Sequence, residues 1–312
     1  MCSSIVWPAL PYAAWHETAA TLQLWTQIVG KVRLSLTPWL NHSWHVPLYV
    51  TAVGLGTSSI PISNELLEIE FDFVSHRLVV RTSLGERRTL PLTAQTVAEF
   101  YGRLFEVLDE LGVAVSIHGM PNEVPNPIHF REDRTHSAYD PGWAHDFWRV
   151  LVQADRVFKL FRTGFLGKSS PVHFFWGSFD LAVTRFSGRK APLHPGGVPG
   201  LPDAVAREAY SHEVSSAGFW PGNDDFRQPT FYSYAYPEPA GFRDRPVVPG
   251  AQFDAAKGEY ILLYDAVREA EDPGCLLLDF LRSTYEAAAD TGGWDRAALE
   301  CPIGSPARVR RV

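Results

Sequence analysis

Titratable side chains fall close together in two apolar stretches in the second half of this 312-residue chain. The stretch 171–186 contains His173 and Asp180. His212 and Glu213 stand next to each other in a later apolar stretch. An imidazole beside a carboxylate can act as a general acid or base, and burial among aromatic rings shifts the pKa of both groups. These four residues are therefore the candidate catalytic residues, and the main hypothesis is acid–base chemistry on a small organic molecule.

The same residues could instead hold a metal ion, since two imidazoles and a carboxylate are a common ligand set. His212 and Glu213 lack the second histidine of a zinc-protease helix motif. On a regular strand His173 and Asp180 face opposite sides, because their separation is odd. A bulge at Gly177 would bring them together. The metal hypothesis stays open beside a simpler alternative, in which the histidines are buried and hydrogen bonded internally.

Further aromatic and charged residues could line a pocket for a ligand. Arg185 could neutralise Asp180 or hold an anionic substrate. Tyr232, Tyr234 and Tyr236 alternate along a predicted strand, so they share one face and could stack a flat or apolar ligand. The candidate ligand-binding residues are Trp176, Arg185, Trp220, Tyr234 and His45. The alternative for each of them is ordinary core or sheet packing.

Composition limits the classes of partner and the compartment. The net charge of −7 argues against a general nucleic-acid binder. No apolar run reaches membrane-spanning length, and the N-terminus lacks the basic and apolar pattern of a signal peptide. The three cysteines, Cys2, Cys275 and Cys301, lack paired spacing, which is typical of a reducing compartment. We expect a cytoplasmic protein that binds neither nucleic acid nor membrane, with its oligomeric state and any cofactor left open.

Periodicity predicts the elements that must position these residues. The chain alternates helical stripes of apolar residues with β-branched or alternating stretches. The predicted helices cover about 15–36, 93–111, 141–165 and 273–289, and the predicted strands cover 46–53, 66–74, 77–82, 86–92, 113–117, 171–186, 209–219, 230–236 and 259–264. The stretch 171–186 is predicted as one long strand that is apolar on both faces and therefore covered on both sides.

The predicted elements repeat in the same order in two halves. The predicted fold class is α+β, with antiparallel sheets, helices packed on one face, and two similar halves related by internal duplication. The first half covers 1–118, a connector covers 119–141, the second half covers 142–300 and a tail covers 301–312. A cleft between two halves is a common ligand site. The proline-rich connector is expected to be ordered and to pack against the site.

Four motifs carry a resemblance to a known family. They are WTQIVGK at 25–31, WHVPLYV at 44–50, PVHFFWGSFDL at 171–181 and YSHEVSSAGFWPG at 210–222. Together they resemble a bacterial family catalogued as a domain of unknown function, over about residues 7–300. The resemblance implies a soluble bacterial protein and supplies no activity, cofactor or catalytic residue.

Three classes of function therefore stay open at the level of sequence. An enzyme should place at least two titratable groups in one aromatic-lined pocket. A non-catalytic protein that binds a small molecule should have an aromatic pocket without such groups. A structural or partner-binding protein should expose a broad apolar patch.

Overall fold

A computed structural model describes residues 7–310 of the chain. Cys2 and the last two residues of the expected tail lie outside this range. The helices are α1 (Tyr12–Leu36), α2 (Val97–Glu110), α3 (Pro141–Thr163), α4 (Asp203–Ala209), α5 (Tyr264–Arg268), α6 (Pro273–Thr291) and α7 (Arg296–Leu299). The strands are β1 (Tyr49–Val50), β2 (Gly54–Gly56), β3 (Ile60–Ile62), β4 (Glu65–Asp72), β5 (Arg77–Thr82), β6 (Arg87–Pro91), β7 (His173–Phe175), β8 (Asp180–Lys190), β9 (His212–Trp220), β10 (Thr230–Tyr236), β11 (Gln252–Asp254) and β12 (Glu259–Leu263).

The strands form two six-stranded antiparallel sheets. The first sheet has the order β1-β2-β4-β5-β6, and β3 also pairs with β4. The second sheet has the order β11-β12-β10-β9-β8-β7. The two sheets meet at one edge, where Leu48 and Phe174 exchange backbone hydrogen bonds of 2.9 and 2.8 Å. The sheets therefore continue into one another at this pair.

The four long helices pack in the order α2, α1, α3 and α6 along one face of the sheets. In the first half, the Trp25 ring of α1 stacks on Phe100 of α2 with their centroids 4.7 Å apart. In the second half, Phe158 of α3 meets Phe231 of β10 edge to face at 6.3 Å. Aromatic pairs of this kind add to the hydrophobic stabilisation of the core. The predicted α+β class with helices on one face of antiparallel sheets is confirmed.

Local sequence explains where three of these helices begin. Thr96 and Glu99 form a reciprocal capping box at the start of α2. Asp140 and Asp272 each cap a helix whose first residue is proline, at α3 and α6. With Thr96 as its cap, α2 begins at Val97 rather than at about residue 93 as predicted.

Both halves follow the same order of elements. Each half starts with a long helix, continues with antiparallel strands that move outward from the shared edge, and ends with a second long helix. Strands β1, β2, β4 and β5 thus take the places in the first sheet that β7, β8, β9 and β10 take in the second. This arrangement fits two similar halves, and their origin by internal duplication stays a prediction.

The stretch 171–186 differs from the single long strand predicted for it. It folds as a hairpin, in which β7 and β8 are joined by a turn that spans 176–179. Phe179 has a φ of 60° in this turn, and Gly177 belongs to the turn rather than to a bulge. The turn was hidden in the sequence because Trp176 and Phe179 are buried and have the apolar character of strand residues. The predicted strand at 113–117 is also absent from the structure, which has no regular element there.

Within residues 7–310, no helix combines the length and the apolar character that crossing a membrane requires.

Candidate functional site: a tyrosine and carboxylate crevice on the second sheet

The second sheet has two different faces. Leu181, Phe219 and Phe231 lie side by side on three neighbouring strands and pack beneath the long helices. On the opposite face the corresponding row is Ala182, Gly218 and Tyr232. No long helix packs on this second face within residues 7–310; the connector and the segment 191–211 cover it in part. We call the surface formed on this face by Glu123, Asp180, Tyr210, Tyr232, Tyr234 and Glu259 the crevice.

Asp180 lies at the start of β8, at the bottom of this crevice. It is only 7% exposed, and its Oδ2 accepts a hydrogen bond from the Tyr232 hydroxyl. Its Oδ1 is buried and has no hydrogen-bond partner among residues 7–310. Gly218 lies between Tyr232 and β8, and a Cβ at this position would collide with the Tyr232 hydroxyl. The glycine therefore lets the phenol cross β9 and reach the carboxyl.

Two further carboxyl groups act on Asp180. Burial raises the pKa of Asp180 to about 7, the Tyr232 hydrogen bond lowers it in part, and the charges of Glu123 and Glu259 raise it further. Burial also raises the pKa of Glu259 to about 7, although Lys257 opposes this shift. Burial likewise raises the pKa of Glu123. Burial thus raises the pKa values of three carboxyl groups in the same region, those of Glu123, Asp180 and Glu259.

The connector places Glu123 at the crevice. The Glu123 carboxylate accepts a 2.7 Å hydrogen bond from the Ser178 hydroxyl in the hairpin turn. A Cβ at Gly177 would collide with this carboxylate, and a Cβ at Gly200 would collide with the Glu123 backbone. The close packing of Glu123 therefore depends on two glycines that come from different segments.

Asn122 holds the connector in place. Its backbone and the Gln27 side-chain amide exchange two hydrogen bonds of 2.7 and 2.8 Å. Its side chain accepts a hydrogen bond from Lys31 at 2.5 Å and donates one to the Gly200 carbonyl at 2.8 Å. Gln27 and Lys31 lie one turn apart on α1, so they share a face of that helix. These contacts tie the connector to α1 and to the segment that covers the sheet.

Tyrosine rings form the wall of the crevice. The rings of Tyr232 and Tyr234 stack with their centroids 6.1 Å apart and an angle of 17°. The Tyr234 hydroxyl lies 3.1 Å from the Tyr210 hydroxyl. The Tyr210 ring in turn stacks on His194 at 4.8 Å. All three tyrosines are half-buried, so solvent reaches the wall while Asp180 stays buried below it.

This arrangement can transfer a proton. A carboxyl with a pKa of about 7 is present in both its acid and its base form near neutral pH. Tyr232 occupies Oδ2, which leaves Oδ1 to meet a reacting molecule. Burial raises the pKa values of Tyr210, Tyr232 and Tyr234, so their hydroxyls stay neutral and can donate hydrogen bonds.

Comparison with known families identifies the chain at the level of a family. A family model described as "Family of unknown function (DUF5996)" matches residues 7–301. The chain belongs to this family. Searches among curated proteins and among solved structures give no match. Every residue of the crevice in this DUF5996 protein lies inside the matched region.

The histidines predicted as catalytic make no hydrogen bond with Asp180 among the described residues of the DUF5996 structure, although His173 pairs with Ala182 and so lies on the same face of the second sheet as Asp180. His173 is 1% exposed, and its Nδ1 lies 2.7 Å from the Pro171 carbonyl. Burial lowers the pKa of His173 to about 4, so the ring is a neutral core residue. His212 lies near His42, with their ring centroids 6.1 Å apart, and its Nδ1 is 3.1 Å from the Ser211 hydroxyl.

Glu213, the fourth predicted catalytic residue, points to the helix-covered face of the second sheet. It accepts hydrogen bonds from Ser187 at 2.8 Å and from Arg189 at 2.7 Å. Arg189 also binds the carbonyls of Gly292 and Gly293 at the end of α6. Glu213 therefore belongs to a contact between β9 and α6, and the expected convergence of all four residues on one pocket is not met.

Arg185 lies on the opposite face of β8 from Asp180. It is 4% exposed, and its guanidinium lies 3.5 Å from the ring centroid of Phe161 and 4.3 Å from that of Tyr285. It also donates a hydrogen bond to the Phe161 carbonyl. The predicted neutralisation of Asp180 by Arg185 is wrong. The two residues lie five positions apart on β8, and an odd separation places their side chains on opposite faces of the strand.

The remaining predicted ligand-binding residues divide between the core and the crevice face. The Trp176 indole donates to the Val46 carbonyl at 2.9 Å and is buried. His45 is also buried, where its Nδ1 accepts a hydrogen bond from the Leu40 backbone. Trp220 and Tyr234 share the open face of the second sheet with Tyr232. Of the predicted residues, Asp180 and Tyr234 line the crevice and Trp220 lies at its end.

The sequence did not indicate Glu123, Glu259 or Tyr210 as members of a site. Glu123 stands in a proline-rich segment without periodicity, and Glu259 begins a short strand like many solvent-exposed carboxylates. Tyr232 was recognisable from its alternation with Tyr234. The pairing of β10 with β9, which sets Tyr232 opposite a glycine, could not be inferred without the register.

Other features of this DUF5996 chain offer less chemistry. A cavity of about 260 Å³ lies between the second sheet and the end of α6, with Ala235, Tyr236, Pro237 and Trp294 among its lining residues. The carboxylate that lines it is Glu213, which already pairs with Arg189. Within the described residues, no group of three or more His, Cys, Asp and Glu side chains is arranged to hold a metal ion.

Proposed function

We propose that this protein is an enzyme that transfers a proton to or from a small organic molecule in the tyrosine and carboxylate crevice. The observation that carries this proposal is the buried carboxyl of Asp180, with Oδ2 bound to Tyr232 and Oδ1 free. A buried polar atom without a partner costs roughly 1–3 kcal/mol, and such costs are typical of functional sites. A bound molecule would supply the missing partner.

Each crevice residue has a distinct role in this proposal. Asp180 is the general acid or base and acts through Oδ1, while Tyr232 fixes the orientation of the carboxyl. Burial, together with the charges of Glu123 and Glu259, holds the pKa of Asp180 at about 7. The hydroxyl of Tyr234 donates a hydrogen bond to a polar group of the substrate. Solvent-facing rings of the tyrosine wall hold the apolar part of the molecule.

A heavy-water experiment tests this function on a mixture of many candidate substrates at once. The wild-type protein and the Asp180→Asn variant are incubated in D₂O with a bacterial metabolite extract, and mass spectrometry records changes in mass and abundance. Proton transfer at carbon incorporates deuterium even when there is no net reaction, and other proton-transfer reactions deplete a substrate. We expect one or a few metabolites to change with the wild-type protein and none with Asp180→Asn.

Asp155→Asn is the matched control for this experiment. Asp155 on α3 is also 7% exposed, and burial raises its pKa as well, but it pairs with Lys159 at 2.6 Å. This variant should behave like the wild-type protein. If no metabolite distinguishes wild type from Asp180→Asn, the proposed proton transfer is refuted.

The second candidate is a protein that binds a small molecule without converting it. The specific observation in its favour is the stacked pair of Tyr232 and Tyr234, which already forms one wall for a flat molecule. Retention of an unchanged metabolite by wild type, lost in Asp180→Asn, would favour this candidate over the enzyme.

Two further aspects of the sequence stay proposals. We propose a cytoplasmic bacterial protein that binds neither nucleic acid nor membrane, which is supported by the net charge of −7 and by the three widely separated cysteines. We also propose that the two halves arose by internal duplication, which their shared order of helices and strands supports.

A further inference from the structure

We propose that the molecule bound in the crevice is an organic cation, with an ammonium group directed at the free Oδ1 of Asp180. This inference rests on the proposed function, because it names the class of molecule for the same site. It applies equally to a substrate and to a ligand that is bound without conversion.

The crevice has negative groups that the protein does not neutralise. The Glu123 carboxylate is hydrogen bonded to Ser178, and the Asp180 carboxylate is hydrogen bonded to Tyr232, so both partners are neutral hydroxyls. The Lys257 ammonium pairs with Glu259 at 3.9 Å, so the carboxyl groups of the crevice without a cationic partner among residues 7–310 are those of Asp180 and Glu123. Unlike charges stabilise one another strongly in a partly buried site, so a bound cation is favoured there and a bound anion is opposed.

The unpartnered Oδ1 of Asp180 indicates where the positive group of a ligand would bind. Asp180 is 93% buried, since only 7% of it is exposed, and its Oδ1 has no hydrogen-bond partner within residues 7–310. An ammonium group carries donors and no acceptor, so it matches a lone carboxylate oxygen. A charge-assisted hydrogen bond of this kind is stronger than one between neutral groups. The orphaned oxygen therefore points to a ligand that brings both a donor and a positive charge.

The aromatic wall fits the same ligand class. Tyr232 and Tyr234 present stacked rings next to the carboxyl groups, and Tyr210 adds a third ring at the Tyr234 hydroxyl. The faces of such rings attract a cation within about 6 Å, and the attraction grows when the cation is desolvated. The structure already uses this contact nearby, where the Lys257 ammonium lies 4.8 Å from the Trp220 ring centroid.

Matched probes separate the effect of charge from that of shape. Binding to the wild-type protein is measured by isothermal titration calorimetry and by thermal shift at pH 7.5 in about 0.15 M salt, which screens exposed charges beyond about 8 Å. The probes are benzylamine with benzyl alcohol and benzoate, 3-methylbutan-1-amine with its neutral analogue 3-methylbutan-1-ol, and spermidine. We expect at least one cation to bind at least tenfold more tightly than its neutral isostere, and benzoate not to bind.

Two variants locate the binding. Asp180→Asn and Glu259→Gln should each weaken binding of the cation at least tenfold. Asp155→Asn removes the same single charge from the chain and should leave the affinity within twofold of wild type. Non-specific attraction to an acidic protein would affect Asp180→Asn and Asp155→Asn equally.

Three results would overturn the inference: no cationic probe binds, the neutral or anionic isostere binds as tightly as the cation, or binding persists in both Asp180→Asn and Glu259→Gln. Deuterium transfer that depends on Asp180, found together with any of these results, would refute the ligand class and leave the proposed proton transfer standing. Binding of a cation that depends on Asp180, without deuterium transfer or metabolite conversion, would support the ligand class and refute catalysis.

Discussion

Replacing Asp180 by asparagine should make the folded protein more stable at neutral and alkaline pH. The carboxyl is 7% exposed, and burial together with Glu123 and Glu259 raises its pKa to about 7 from an ordinary value of 3.8. Asparagine keeps an oxygen that can accept the Tyr232 hydrogen bond, and it carries no charge. The variant therefore removes the cost of ionising a buried acid while it preserves the shape of the site.

The size and the pH window of this effect follow from the pKa shift. The folded protein holds the Asp180 proton more tightly than the unfolded chain, so the contribution of Asp180 to wild-type stability falls as the pH rises from about 4 to about 7. A shift of about three units corresponds to roughly 4 kcal/mol at about 1.4 kcal/mol per unit. The two proteins should have nearly equal free energies of unfolding at pH 4, and Asp180→Asn should be more stable by up to roughly 4 kcal/mol at pH 8.

Urea denaturation at half-unit intervals from pH 4 to pH 8.5 measures this difference. Tyr210, Tyr232 and Tyr234 face the carboxyl but stay neutral over this range because burial raises their pKa values. Glu259 titrates in the same window and interacts with Asp180, so the same comparison in a Glu259→Gln background separates the contribution of Asp180 alone. The reasoning is refuted if Asp180→Asn is no more stable than wild type at pH 8, or if the difference does not grow with pH.

Three further changes test separate parts of the structure. His173→Phe should make the stability of the protein less sensitive to acid. Burial lowers the pKa of His173 to about 4, so as the pH falls from about 6.5 to about 4 only the unfolded chain gains this proton, which costs the wild-type protein roughly 3 kcal/mol of stability. Urea titrations in which the variant keeps this loss would contradict the prediction. Gly218→Ala should destabilise the protein by about 2 kcal/mol and abolish binding of the cationic probes, because a Cβ there collides with the Tyr232 hydroxyl. Intact probe binding by calorimetry would show that Tyr232 need not cross β9. Arg185→Met should leave probe affinity within twofold of wild type, since Arg185 lies on the helix-covered face; a tenfold change in affinity would contradict this placement.

The helices and most strands could be predicted because their signals are local. The alternation of apolar residues in β4 gives its inward face, where Ile69 and Phe71 are fully buried. The stripe on α2 likewise depends only on nearby residues. The hairpin at 171–186 was missed because a turn made of buried aromatic residues carries no turn signal. A strand pattern shows which residues alternate but not where the chain reverses.

The candidate site was harder to predict because it depends on register and on distant segments. Asp180 stood out as a charged residue in an apolar stretch, and it proves to lie at the bottom of the crevice. Its partner Tyr232 lies 52 residues later on β10, and β9 runs between β10 and the strand that carries Asp180. Glu123 reaches the site from the connector through glycines whose role depends on what packs against them. His173 has the same local appearance as Asp180 and lies on the same face of the sheet, yet it is 1% exposed and its Nδ1 lies 2.7 Å from the Pro171 carbonyl.

The most direct measurement is the pKa of the Asp180 carboxyl itself, determined by ¹³C NMR on protein labelled at aspartate carboxyl carbons, with Asp180→Asn used to assign the signal. The expected value is about 7, and Glu259→Gln should lower it because the charge of Glu259 raises the pKa of Asp180 in the wild-type protein. An Asp180 signal that titrates near pH 4, or one that does not respond to Glu259→Gln, would contradict the central claim that this carboxyl is the acid–base group of the crevice.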